Sequence, residues 1–144
     1  MTRLEHANLC VRDVDGMIRF LVTAFPEFRV RHDATEADGS RWVHVGTDDT
    51  YIALQSSRHE RIESLQPYSG SPGLNHLGYE VDDVEAIVTR LCSAGYADTT
   101  VRHPHRKRVY FHDPEGNEWE FVQYFTNDAA ARNDYGIPNL PSAA

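Results

Sequence analysis

The spacing of hydrophobic and polar residues changes along this chain, and each change marks the border of a predicted element. Residues 4–11 and 74–81 alternate or run apolar over a length that suits a β-strand. Each is followed by apolar residues at the i, i+3, i+4, i+7 spacing of an amphipathic helix, namely Val14, Met17, Ile18 and Leu21, and then Val84, Ile87, Val88 and Leu91. Asp13 and Asp83 stand where an N-cap belongs, and Gly95 stands where the second helix should end.

Three short strand candidates come after each predicted helix. They are residues 28–32, 41–45 and 51–55 in the first half of the chain, and 99–103, 109–112 and 119–125 in the second. The segment 113–117 has proline and glycine at positions that favour a chain reversal between the last two strands. Each half therefore has the predicted element order βαβββ, and the fold class is α+β.

The two halves are also similar in sequence. At a shift of 70 residues, six residues of the first half fall on identical ones: Leu4, His6, Val11, Asp13, Val14 and Leu21. At a shift of 67 residues, Arg41 falls on Arg108 and residues 51–54 fall on 118–121. We therefore interpret 1–144 as a single domain with module one at 3–57, a linker at 58–72, module two at 73–125 and a C-terminal tail at 126–144.

Composition narrows the class of protein. The 14 Lys and Arg against 22 Asp and Glu give a net charge of −8, which opposes binding to nucleic acid. The two cysteines cannot form a disulfide framework, and 40% hydrophobic residues can supply a core without one. There is neither a secretion signal pattern nor an apolar run of about 18 residues, so we expect a cytoplasmic protein that does not bind membranes.

Strand alternation groups the polar residues that carry chemistry. In the first strand His6, Asn8 and Cys10 point away from the apolar face, which must receive the helix. The same alternation places His76 with Glu80 in the equivalent strand. In the last strand Trp119, Phe121 and Phe125 form the apolar set, and Glu118, Glu120, Val122 and Tyr124 point the other way.

These motifs, at residues 4–9, 74–79 and 113–122, resemble those of the vicinal oxygen chelate superfamily. That superfamily includes glyoxalase I, bleomycin-resistance proteins, fosfomycin-resistance thiol transferases and extradiol dioxygenases. The resemblance implies paired βαβββ modules whose mixed sheet curls around a cavity with one divalent metal ion. His6, His76 and Glu120 fall on three of the family's metal-ligand positions.

The fourth ligand position of glyoxalase I is missing. By the internal repeat Ala53 matches Glu120, and its methyl group cannot bind a metal. Gln55 faces the same way but lies one strand repeat further along, a displacement of roughly 6.6 Å, so we do not expect it to bind the metal. We expect it instead to support the site or contact a bound ligand. A set of two His and one Glu leaves coordination sites open, and its donors suit Fe²⁺, Mn²⁺, Ni²⁺ or Zn²⁺ without selecting one.

Further candidates surround this set. Glu80 is a candidate base beside His76, in addition to Glu120, and Tyr124 is a candidate lining residue. The basic run 103–108 is predicted to be a loop that offers Arg106 or Lys107 to an anionic substrate; the alternative is solvated charge.

The expected function is that of a metal-dependent enzyme acting on a small, chelating, oxygenated substrate by lyase, dioxygenase or thiol-transferase chemistry. The vacancy at Ala53 makes glyoxalase I chemistry the least favoured. The alternative is a protein of the bleomycin-resistance type that binds or sequesters a small molecule without turnover. The resemblance also implies a homodimer, and the tail is expected either to pack on a partner subunit or to fray.

Overall fold

Two four-stranded sheets, each with one helix packed against it, account for most of the chain. The structure, a computed structural model, describes residues 2–59, 68 and 72–141. The chain divides into two compact units, one formed by residues 1–64 with 113–116 and the other by 65–112 with 117–144. Most of the predicted linker at 58–72 lies outside the described residues.

The first unit has the predicted βαβββ order. Its elements are β1 (His6–Val11), α1 (Val14–Ala24), β2 (Arg29–Thr35), β3 (Arg41–Gly46) and β4 (Tyr51–Ser56). The strands are arranged β1-β4-β3-β2, with β1 parallel to β4 and the other pairs antiparallel. Helix α1 contacts β3 and β4, so it covers one face of this sheet.

The second unit repeats this arrangement. Its elements are β5 (His76–Glu80), α2 (Val84–Ser93), β6 (Asp98–His103), β7 (Arg106–His112), β8 (Glu118–Tyr124) and a short α3 (Ala129–Arg132). The strands are arranged β5-β8-β7-β6, and β5 is parallel to β8. Helix α2 contacts β7 and β8. The predicted α+β class with two βαβββ modules is confirmed.

Caps and a buried apolar face hold each helix in place, as predicted. The Asp13 carboxylate accepts a hydrogen bond from the Gly16 amide at 2.8 Å, and Asp83 accepts one from the Ala86 amide at 3.0 Å. Gly95 ends the second helix with φ +94°, a conformation that favours glycine. Fully buried side chains form the two cores: Met17, Phe20, Leu21, Val43, Val45 and Leu54 in the first unit, and Leu91, Val109, Phe111, Trp119 and Phe121 in the second.

Strand register confirms the internal repeat. In the first unit His6 pairs with Tyr51, and two residues on Asn8 pairs with Ala53. In the second unit His76 pairs with Glu118, and Gly78 pairs with Glu120. Ala53 and Glu120 therefore occupy equivalent places in the two sheets.

Two predictions about local structure are wrong. The run 103–108 is not a loop, because β7 begins at Arg106 and pairs in register with β6 and β8. Phe125 is not part of the apolar set, because β8 ends at Tyr124 and the Phe125 ring is 58% exposed. For the tail, the Leu140 amide donates to the Arg102 carbonyl at 2.8 Å, so the chain does not fray at this point; packing on a partner subunit stays a prediction. No helix in the described ranges is long and apolar enough to span a membrane.

Candidate functional site

The second unit brings an imidazole and a carboxylate into direct contact. His76 at the start of β5 places its Nε2 atom 2.9 Å from Oε2 of Glu120 on β8. The other ring nitrogen, Nδ1, lies 2.9 Å from the side-chain oxygen of Asn75. Both residues of the pair are largely shielded, with side chains 27% and 16% exposed. His76 and Glu120 therefore lie next to each other on one face of the second sheet.

A second carboxylate adjoins this pair. Oε2 of Glu118 lies 3.8 Å from Nδ1 of His76, and its side chain is only 9% exposed. Within the described residues this buried oxygen has no hydrogen-bond donor, which is costly for a carboxylate. Glu118 thus supplies an unused electron-pair donor beside the His76–Glu120 pair.

Two tyrosines enclose these carboxylates. The Tyr110 hydroxyl donates to Oε1 of Glu120 at 3.1 Å, while the Tyr68 ring lies 6.2 Å from the His76 ring. Burial raises the pKa of Tyr110, and the nearby charge of Glu120 adds to the effect. Burial also raises the pKa of Tyr68, with Glu118 as the next cause. Both phenols therefore stay protonated at neutral pH and remain available as donors.

These groups fit a divalent metal ion. Two donor atoms bound to one ion at about 2.1 Å and at right angles lie roughly 3.0 Å apart, close to the 2.9 Å between His76 and Glu120. Imidazole and carboxylate are both ligands of divalent first-row metals. Among the described residues no group of three His, Cys, Asp or Glu side chains is gathered as a complete site. The second unit thus provides a two-residue donor pair.

The predicted ligand of the first unit, His6, has different surroundings. Its Nδ1 atom lies 2.9 Å from the Glu5 carboxylate, and its ring stacks on Tyr51 at a centroid distance of 4.9 Å. The centroid of the His44 ring lies 4.5 Å from that of Tyr51. Burial lowers the pKa of His44, and the positive charges of His32 and Arg31 add to this. His6 therefore belongs to a cluster of rings.

Gln55 and Cys10 lie further along the same face of the first sheet and pair in register. Both are exposed, and they line a groove of about 410 Å³ whose other walls include Ser40, Arg58 and His59. Ala53 lies on this same face and is buried. The orientation predicted for Gln55 is present, and its part in binding a ligand stays a prediction.

Glu80 and Tyr124 lie on the predicted face of the second sheet, but the tail engages both. Arg132 of α3 forms an ion pair with Glu80, and its guanidinium carbon lies 3.9 Å above the Tyr124 ring. The Glu80 carboxylate is thus engaged by Arg132, and its role as a proton-transferring base stays a prediction. Tyr124 packs against the tail at this end of the face.

Arg106 and Lys107, predicted to reach a substrate from a loop, are instead buried in β7 with side-chain partners. Arg106 is 2% exposed, donates to the carbonyls of Arg132 and Asp134, and lies 4.4 Å from the Tyr135 ring centre. Lys107 forms an ion pair with Glu85 at the start of α2. Their placement in an exposed loop is wrong, because tertiary contacts with the tail and with α2 bury them.

The sequence analysis did not assign Tyr110, Glu118 or Arg108 as site residues, although it placed Glu118 on the face of Glu120 and Arg108 at the end of the basic run. The register between β7 and β8 brings two of them near the His76–Glu120 pair, since Tyr110 lies opposite Glu120 and Arg108 lies opposite Val122. Glu118 lies two residues from the predicted ligand Glu120, and alternation along a strand puts both side chains on one face. No comparable signal marked Tyr110, because the register between β7 and β8 depends on the length of their turn.

Known proteins match this chain in sequence and in fold. The sequence profile of the Glyoxalase/Bleomycin resistance protein/Dioxygenase superfamily matches residues 3–121. A protein of Bacillus subtilis (strain 168), named probable trivalent organoarsenical cleaving enzyme, is 32% identical over 67% of this chain and 71% of its own length.

Solved structures share the fold at lower identity. A glyoxylase/bleomycin resistance protein/dioxygenase domain from Frankia sp. EAN1pec has a TM-score of 0.73 at 21% identity, covering 89% of this chain and 96% of its own. The fosfomycin resistance protein FosX of Listeria monocytogenes, solved with Mn(II) and sulfate, has a TM-score of 0.66 at 17% identity, covering 93% and 99%. From the profile match and the 32% identical relative, we conclude that the chain belongs to the Glyoxalase/Bleomycin resistance protein/Dioxygenase superfamily.

Proposed function

We propose that this protein is a divalent-metal-dependent enzyme that acts on a small substrate able to chelate through oxygen. His76 and Glu120 hold the metal, and His6 is the third protein ligand. The observation that carries the proposal is the 2.9 Å contact between His76 Nε2 and Glu120 Oε2. Strand alternation and the internal repeat predict that both side chains lie on this face. The ion is one of Fe²⁺, Mn²⁺, Ni²⁺ or Zn²⁺.

The relatives support two parts of this proposal, the binding of a divalent metal and the enzymatic activity. The FosX protein of similar fold was solved with Mn(II), and the more similar sequences are named as enzymes. These names favour catalysis over sequestration. They do not favour glyoxalase I chemistry, for which Ala53 offers no fourth ligand.

The residues of the second unit have separate roles in this proposal. A bound divalent ion would act as a Lewis acid toward substrate oxygens. The protonated Tyr110 hydroxyl donates a hydrogen bond to Oε1 of Glu120, and Oε2 of the same carboxylate lies at His76. Asn75 fixes the orientation of the His76 ring through Nδ1. Glu118 supplies a shielded oxygen that can accept a proton or a hydrogen bond from substrate.

Cleavage of trivalent organoarsenicals is the specific reaction that the relatives favour. In methylarsonous acid the C–As bond breaks and arsenic gains a hydroxyl group; the carbon leaves as methane when water is the co-reactant, or as formaldehyde when dioxygen is. Two proteins that match this chain carry that name, at 32% and 24% identity. Trivalent arsenic is a soft centre that prefers thiolates. Cys10 is an exposed free thiol on the same strand face as His6, so the first unit carries a ligand of the right kind.

A homodimer remains part of the proposal. The homodimer is predicted from the resemblance of the paired modules to the vicinal oxygen chelate superfamily. A solution mass twice the 16.4 kDa of the chain is expected by light scattering. A mass of one chain at micromolar concentration would remove the dimer.

Metal-dependent turnover tests the function. Protein stripped with a chelator is reloaded separately with Fe²⁺, Mn²⁺, Ni²⁺ or Zn²⁺ and incubated with methylarsonous acid. Release of inorganic arsenite in a reloaded sample but not in the stripped one is the result expected for arsenical cleavage. If Cys10→Ser releases arsenite as fast as the unaltered protein, Cys10 is not the arsenic ligand. A metal-loaded protein that binds methylarsonous acid tightly without product is a sequestering protein.

A further inference from the structure

The arginines on the site face of the second sheet differ in their hydrogen-bond partners and in their exposure. This face, turned away from α2, carries Arg106 and Arg108 on β7 beside Val122 and Tyr124 on β8. Arg106 gives its hydrogen bonds to tail carbonyls, and Arg132 of the tail is paired with Glu80. Neither of these guanidiniums is available to a small ligand while the tail is in place.

Arg108 differs from Arg106 in its exposure, because its side chain is only partly buried while Arg106 is 2% exposed. Neither arginine has an anionic partner among the described residues, and the Nε atom of each is buried without an acceptor. The Nη2 atom of Arg108 donates to the amide oxygen of Asn139 at 3.1 Å. A guanidinium has five donors, and a buried donor without an acceptor is energetically costly.

The position of Arg108 relates it to the His76–Glu120 pair. It lies two residues along β7 from Tyr110, whose hydroxyl donates to Glu120, and both side chains project from the same face. A ligand held at Glu120 would therefore meet Arg108 at its other end.

We propose that Arg108 is the specificity-determining residue of this site and receives an oxyanion group of the substrate, such as a carboxylate or a phosphonate. Asn139 is a positioning residue that holds one end of the guanidinium and leaves the remaining donors for the ligand. The inference deepens the proposed function, on which its link to substrate rests. It also replaces Arg106 and Lys107 as the source of positive charge.

An oxyanion is the ligand class that suits these donors. Paired N–H groups of a guanidinium match two oxygens of a carboxylate or a phosphonate, and such charge-assisted bonds are stronger than neutral ones. The protein carries a net charge of −8, so a local cation is needed to attract an anion. A neutral ligand such as methylarsonous acid leaves the charge of Arg108 without compensation, so an organoarsenical that also carries a carboxylate or a phosphonate is expected to bind more tightly.

A protein-observed NMR titration tests the proposal in chelator-stripped protein, so that no metal contributes to binding. The probes are methylphosphonate, acetate and, as a neutral control, acetamide. The Nε–Hε signal of Arg108 is expected to shift with either anion and to stay in place with acetamide. Arg108→Gln should weaken binding of both anions by roughly 10- to 100-fold, the range for losing charge-assisted hydrogen bonds. Arg108→Lys should fall in between, because an ammonium cannot form a paired contact.

Arg102→Gln is the matched control. It removes the same charge from the neighbouring strand β6, where the side chain is exposed, and should leave the affinity unchanged. Equal weakening by Arg102→Gln and Arg108→Gln would overturn the proposal, as would an unmoved Arg108 signal at saturating anion. These outcomes are independent of metal: loss of metal in His76→Ala with unaltered anion binding in Arg108→Gln would refute this inference and leave the proposed function standing.

Discussion

His76 contacts Glu120 although the two residues are not paired in register. His76 lies opposite Glu118, while Glu120 lies opposite Gly78. The contact of 2.9 Å is thus diagonal, and it runs across the position of a glycine that has no side chain to intervene. A Cβ atom built on Gly78 would lie 3.7 Å from Oε2 of Glu120, which is ordinary van der Waals contact.

This geometry predicts different effects for two substitutions of Gly78. Gly78→Ala should leave metal affinity within about twofold, because the added methyl group fits. Gly78→Val adds two further carbons beside the Glu120 carboxylate and should weaken the affinity at least tenfold, in the range reported for disturbing groups around metal ligands. Calorimetric titration with Mn²⁺ measures both. Equal affinities in the two variants would show that the space over Gly78 does not matter.

Tyr110→Phe should impair the site without unfolding the protein. The substitution keeps the ring and removes the hydroxyl that donates to Oε1 of Glu120 at 3.1 Å. Loss of such a supporting hydrogen bond costs roughly 10- to 100-fold in metal affinity or activity. Mn²⁺ affinity and thermal unfolding are measured together. Lower thermal stability with unchanged affinity would assign Tyr110 to the core instead of the site.

Tyr79 gives a prediction for alkaline pH. Burial raises its pKa to about 12, so the unfolded chain releases this proton first as pH rises above 10. Stability that is complete below pH 10 is therefore lost as pH rises toward 12, by roughly 3 kcal/mol for a two-unit shift. Urea unfolding at several pH values should show this loss shrinking in Tyr79→Phe. Tyr135→Phe is the control, since that side chain is 72% exposed.

The tail should loosen when Arg106 is altered. Arg106→Gln removes the donors to the carbonyls of Arg132 and Asp134 and the cation held against Tyr135. Hydrogen exchange at the Leu140 amide, which donates to Arg102, should then accelerate about tenfold or more, while amides of β8 keep their protection. Unchanged exchange at Leu140 would mean that other contacts hold the tail.

Much of this architecture could be predicted because strands and helices impose fixed periods. Alternation placed His6 and His76 opposite their helices, and Asp13 and Asp83 had the chemistry of caps, which the structure confirms. The repeat at 67 residues correctly matched Ala53 with Glu120. These features depend on local geometry and need no knowledge of distant contacts.

The remaining features depend on contacts between distant segments. Arg106 looks like a loop cation in sequence, and only docking of residues 132–135 buries it. Alternation places Glu80 on the site face, but it does not predict the ion pair that Glu80 forms with Arg132. The tail has little hydrophobic periodicity from which its position could be inferred. Specific polar contacts fix it instead, and alternation does not encode them.

Metal content is the most direct test of the central claim that His76 and Glu120 hold a divalent ion. The unaltered protein, His76→Ala, Glu120→Ala and His105→Ala are purified without chelator and analysed by mass spectrometry for Mn, Fe, Ni and Zn. His105 is a suitable control because it lies in the turn between β6 and β7. We predict about one ion per chain in the unaltered protein and in His105→Ala, and at least tenfold less in the other two variants. Equal metal content in all four folded proteins would contradict the account.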